Sequence, residues 1–148
     1  MPKVQADGLP LPQRYGAILT IVIGISMAVL DGAIANVALP TIATDLHATP
    51  ASSIWVVNAY QIAIVISLLS FSFLGDMFGY RRIYKCGLVV FLLSSLFCAL
   101  SDSLQMLTLA RVIQGFGGAA LMSVNTALIR LIYPQRFLGR GMGINSFI

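Results

Sequence analysis

The chain has 148 residues, 58% of them hydrophobic and only 9% charged, with a mean hydropathy of +0.91. A soluble domain carries about 25% charged residues, so a water-soluble fold is excluded. At roughly 20 apolar residues per crossing, the length holds about four or five membrane spans and no sizeable soluble domain. The formal charge of +4 comes from nine Lys and Arg against five Asp, and its placement speaks to membrane topology rather than to nucleic acid.

Residues 1–14 form a polar, Pro-containing tail expected on the cytoplasmic side. The first expected span runs from Tyr15 to Leu39, broken by one charge, Asp31. A secretory signal is the competing reading, since Lys3 and Arg14 make a basic leader and Ala33 to Ala35 resembles a cleavage site, but the apolar run is too long and carries an acid. The second span is expected over Ile54 to Gly75, the third over Ile83 to Leu100 with Lys85 near its start, and the fourth over Leu107 to Ile129 with Arg111 inside it. A fifth would begin near Gly141, where the remaining eight residues reach only about 12 Å as a helix. Pro2, Pro10, Pro12, Pro40, Pro50 and Pro134 all fall in tails or connections, so no span is expected to contain a proline. Trp55, Tyr15, Tyr80, Tyr84 and Tyr133 lie near span ends and are expected to anchor at headgroup depth.

Lys and Arg set the orientation. The tail carries Lys3 and Arg14, the second connection Arg81, Arg82 and Lys85, and the fourth connection Arg130, Arg136 and Arg140, whereas the first and third connections carry none. This bias places the amino terminus and the second and fourth connections in the cytoplasm.

Asp31 and Arg111 are the functional clue, because an ionised group at mid-bilayer costs about 3 kcal/mol or more and needs a partner or water. At 100 degrees per residue, Asp31 shares a stripe with Gly24, Ala28, Ala35 and Ala38, and small residues mark where membrane helices approach. Arg111 lines up with Gly115, Gly118, Met122 and Asn125, with Gln114 alongside. Both stripes face inward, and helical rise puts Asp31 about 12 Å and Arg111 about 6 to 9 Å from the outer ends of their spans. The two are therefore expected to meet, as a structural ion pair or as a site that exchanges a proton or a cationic ligand. On the second span Asn58 and Gln61 either line a cavity or hydrogen-bond between helices, with Tyr60 on another face. Cys86 and Cys98, about 18 Å apart along one helix, cannot bridge and read as packing residues. His47 is the single histidine, so metal binding and histidine catalysis lack support, and no phosphate loop or nucleophile motif occurs.

The connection LGDMFGYRR, Leu74 to Arg82, closes one helix with an acid, reverses at Gly79 and opens the next with two Arg. An acid at a helix carboxyl end is disfavoured by the dipole, so Asp76 is expected to pair with an Arg or with another helix's amino terminus. A tight positive-inside loop with a locally paired acid is the plainer alternative.

Together, LDGAIANVALP (Leu30 to Pro40), WVVNAY (Trp55 to Tyr60), LARVIQGFGGAA (Leu109 to Ala120) and GDMFGYRR, in this order and spacing, resemble the major facilitator superfamily, most closely its fourteen-helix drug:proton antiporter branch. Ser72 and Met77 depart from the loop pattern, standing where Gly and a basic residue are usual. The resemblance implies an all-α transmembrane fold, here an incomplete amino-terminal half, residues 15–148, of a rocker-switch transporter in the inner (plasma) membrane. It implies export of small molecules or drugs driven by the proton gradient, with no bound cofactor. Asp31, Arg111, Gln114, Asn58 and Tyr60 are the candidates for proton coupling or substrate interaction, and Asp76, Gly79, Arg81 and Arg82 for a conformational gate. Gly24, Ala28, Gly115 and Gly118 are the helix-packing candidates. The antiporter motif of the fifth helix would lie beyond Ile148, and the chain is expected not to transport by itself. The expected partners are the lipid bilayer and a small-molecule substrate, with no nucleic acid. A carrier for a metabolite or peptide, and a four-helix assembly or regulatory protein, are the alternatives, and a membrane enzyme lacks a catalytic constellation.

Overall fold

A computed structural model of the chain describes residues 10–133, together with 139 and 143. Four helices account for nearly all of the described residues: α1 (Leu11–Asp45), α2 (Pro50–Phe78), α3 (Tyr80–Ala99) and α4 (Leu104–Ile132). Each is long and apolar enough to cross a bilayer. Helices are what these compositions permit in lipid, where every backbone donor and acceptor must be satisfied within its own segment. Lys3, Pro2, Pro134, Arg136, Arg140 and the fifth span expected from about residue 141 lie outside the described residues, Gly143 excepted.

The helix ends follow local chemistry. Thr49 accepts from the Ser52 amide (3.2 Å) at the start of α2, with Pro50 in the first turn, where its missing donor would be unpaired anyway. Ser103 caps α4 in the same way through the Met106 amide (3.3 Å). After α1, His47 adopts φ +47° while the Ala48 amide reaches back to the Ala43 carbonyl (2.9 Å), a helix closure that uses one left-handed residue. Gly79, at φ +94°, alone separates α2 from α3.

Pro40 corrects the expectation that every proline lies outside the helices. It stands inside α1, which continues to Asp45. Pro40 is exposed, near a helix end where water can serve the carbonyl that a proline deprives of its donor, and the Thr44 hydroxyl supports the turn by donating to the Thr41 carbonyl (2.8 Å).

α4 is the central helix, mostly buried where α1, α2 and α3 are mostly exposed. Its glycines allow backbone approach on two sides. A Cβ on Gly115 would stand 2.7 Å from the Tyr60 carbonyl oxygen of α2, and one on Gly117 would stand 2.7 Å from the Phe91 nitrogen of α3. The outer faces carry Val37 and Leu69, each 81% exposed, as surfaces turned to hydrocarbon do. Tyr84 corrects a second expectation. It is buried rather than interfacial, packed against Gly24 with its hydroxyl donating to the Thr20 carbonyl of α1 (3.1 Å). Carbonyl oxygens carry a second lone pair even inside a helix, so a phenol finds a partner without water.

Candidate functional site

The inward stripe of α1 is built from small residues, with Ala28 and Ala35 buried and Gly24 in contact with Tyr84. That close packing brings Asp31 to the level of Arg111 on α4. Arg111 Nη1 donates to Asp31 Oδ2 at 2.5 Å, and Gln114 Nε2 donates to Asp31 Oδ1 at 3.0 Å. Gln114 Oε1 in turn accepts from Arg111 Nη1 at 3.0 Å, closing a three-residue ring of hydrogen bonds. The Gln114 side chain is fully buried, and the side chains of Arg111 and Asp31 are 9% and 20% exposed. A pair so placed is tenable because opposite charges compensate within an environment of low dielectric and the amide bonds to both of them.

Tyr60 joins from α2, its ring 5.7 Å from the Arg111 guanidinium carbon, within cation–π range. The Tyr60 hydroxyl and Arg111 Nε are buried and have no hydrogen-bond partner among the described residues. Beside the cluster, α1, α2 and α4 border a half-open cavity of about 340 Å3, lined by Ala28, Gly32, Asn36, Val57, Tyr60, Gln61, Arg111 and Met122 among others. Chemically, this is a mostly apolar cavity that the Arg111 side chain lines, with Asp31 bonded to Arg111 behind it. A proton added to Asp31 would remove the charge that holds Arg111.

The structure thus brings together Asp31, Arg111, Gln114 and Tyr60, with Gln61 on the cavity wall. Asn58 is exposed and is neither in the cluster nor on that wall. Gly115 and Gly118 pack on Tyr60 of α2, Gly118 close to its hydroxyl. Cys98 reads as a packing residue in the sequence, and in the structure its Sγ also donates to Gln114 Oε1 at 3.6 Å. Only the crossing of α3 with α4 reveals that contact, because nothing in the spacing of Cys98 marks it.

The four gate candidates lie at the far end of the bundle, at the joint of α2 and α3. Asp76 is exposed and accepts from the Tyr80 hydroxyl, and among the described residues it pairs with neither Arg81 nor Arg82. Gly79 turns the chain so that Tyr80 meets Asp76 across the joint, while Arg81 and Arg82 are exposed on the first turn of α3. Asp76 is thus a locally paired acid, its partner the Tyr80 phenol.

Residues 21–148 match the sequence profile of the Major Facilitator Superfamily. The chain belongs to the major facilitator superfamily. Its members are transporters rather than enzymes. The riboflavin transporter RibZ of Clostridioides difficile is 33% identical over 93% of this chain and 30% of its own length. The tetracenomycin C resistance and export protein of Streptomyces glaucescens is 34% identical over 94% of this chain and 25% of its own length. The putative multidrug resistance protein MdtD of Salmonella paratyphi B is 39% identical over 78% of this chain and 24% of its own length. This major facilitator chain spans between about a quarter and a third of the length of these curated relatives.

Proposed function

We propose that these helices serve a proton-coupled exporter of small organic molecules of the fourteen-helix drug:proton antiporter branch. In this reading Asp31 takes up and releases the coupling proton, Arg111 and Gln114 hold its charged form, and Tyr60 shapes the adjoining substrate chamber. The observation that carries the proposal is the Asp31–Arg111–Gln114 ring of hydrogen bonds, whose Arg111 lines the adjoining cavity. A carboxylate whose burial and charged neighbours change between two conformations can bind a proton from one side and release it on the other. Asp76, Gly79, Arg81 and Arg82 would form the gate at the opposite end. The protein would sit in the inner membrane with its amino terminus in the cytoplasm, consistent with Arg14, Arg81, Arg82, Lys85 and Arg130 all lying at one end of the bundle.

The decisive experiment expresses the gene with its native downstream reading frame in cells depleted of other pumps and follows efflux of a fluorescent compound. Protonophore should collapse efflux, Asp31→Glu should retain part of it and Asp31→Asn should abolish it at normal membrane levels. Undiminished efflux by Asp31→Asn would overturn the proposal. The relative named as a riboflavin transporter favours a second reading, a carrier for a metabolite, which the same assay tests with riboflavin in place of the dye.

A further inference from the structure

Of the four helices, α3 meets the charge cluster through Cys98, whose Sγ donates to the fully buried Gln114 side chain. We infer that Cys98 is a positioning residue for the cluster, holding the Gln114 amide in the orientation that presents its Nε2–H group to Asp31. The inference rests on the proton-exchange reading of Asp31 given above.

A glutamine amide has unlike ends, and its orientation is decided by its neighbours. Here Oε1 faces two donors, Arg111 Nη1 at 3.0 Å and Cys98 Sγ at 3.6 Å, and Nε2 faces the Asp31 carboxylate at 3.0 Å. Reversal would set the amide NH2 against the guanidinium and its oxygen against the carboxylate. Water cannot relieve that mismatch, because Gln114 is 0% exposed. The orientation held by Cys98 suits a carboxylate, which accepts hydrogen bonds. It does not suit a neutral carboxylic acid, whose own O–H needs an acceptor. Cys98 therefore adds to Arg111 in favouring the charged cluster, and an amide held by Arg111 alone would turn more readily to accept from a protonated Asp31.

Among the described residues, the titratable or charged groups around Asp31 are Tyr60 on α2, Cys98 on α3 and Arg111 on α4. Cys86 lies about 18 Å along α3 and is exposed, so the two thiols do not share this role.

The test measures export against pH, with the gene carrying its native downstream reading frame, for wild type, Cys98→Ser, Cys98→Val and Asp31→Asn. Val matches the thiol closely in size and cannot donate, whereas Ser retains a donor. For Cys98→Val, half-maximal proton dependence should move to an about two- to threefold lower proton concentration, the effect of losing one weak neutral hydrogen bond, with maximal rate retained. Cys98→Ser should stay close to wild type. A purely structural role would lower protein level or maximal rate without moving the midpoint. If Cys98→Val does not accumulate, Cys98→Ala provides the same reading. An unmoved midpoint in the non-donating variant, or an equal movement in Cys98→Ser, overturns the inference. Asp31→Asn keeps the two levels apart: a wild-type pH profile there overturns proton exchange at Asp31 itself, whereas a flat profile beside an unmoved Cys98→Val overturns only the role of Cys98.

Discussion

Replacing Asp31 by Asn tests the central ion pair most directly. The substitution keeps the side-chain volume but leaves the buried Arg111 cation without its counter-charge and disturbs both bonds made to the carboxylate. Removing one member of a buried pair costs about 3–5 kcal/mol, and an Asn carbonyl can still accept from Arg111, which brings the expected loss to about 2–3 kcal/mol. The Asn amide can keep only one of its two contacts, because its NH2 would face the Gln114 NH2 unless that amide turns. Reversible denaturation in mixed micelles measures the loss. A cycle with Arg111→Gln isolates the pair, and the double variant should recover about 1.5–3 kcal/mol relative to the sum of the singles. Two singles within about 0.5 kcal/mol of wild type, or strict additivity, would refute the view that the two charges are held by one another.

Gly117→Val would push a side chain into the α3 backbone at Phe91, and it should lower stability by at least about 2 kcal/mol or prevent accumulation; Gly16→Ala, with open space around it, serves as the neutral control. Tyr84→Phe removes the hydroxyl bonded to the Thr20 carbonyl and should cost about 0.5–1.5 kcal/mol in the same denaturation assay. Gly79→Ala forces a Cβ onto a backbone with φ +94°, so a loss of about 1–3 kcal/mol is expected, with no change at Asp31. If Gly79→Ala proved neutral, the requirement for glycine at the joint between α2 and α3 would be refuted.

The parts of the fold that were legible in the sequence are those that the bilayer enforces. A charge such as Asp31 or Arg111 among apolar residues must turn inward, and counting helical rise from the span ends was enough to bring the two to one level. The small residues beside them, Gly24, Ala28, Gly115 and Gly118, showed which faces pack. The differences arise where a rule about cost met a local remedy. Pro40 was read as a helix end, but it sits exposed near the end of α1, where losing one donor is cheap. Tyr84 was read as interfacial from its position near a span end, but backbone carbonyls of α1 serve its hydroxyl inside the bundle. The sequence leaves the partner of Asp76 open between an Arg, another helix's amino terminus and a local group, and the turn at Gly79 offers it the Tyr80 phenol. Contacts between helices distant in sequence, such as Cys98 with Gln114, depend on crossing angles that a one-dimensional pattern does not encode.

The junction at Gly79 also has a mechanical meaning. Helices of 29 and 20 residues are joined there through a single residue, so the joint contains almost no slack. Rotation of α2 at one end of the bundle must drag the start of α3 with it, and α3 carries Cys98 against the buried amide at its other end. A tilt imposed on α2 near Asp76 is therefore expected to carry over into α3 and to be felt at the level of Gln114. Lengthening the joint with flexible residues should uncouple the two ends while leaving each intact.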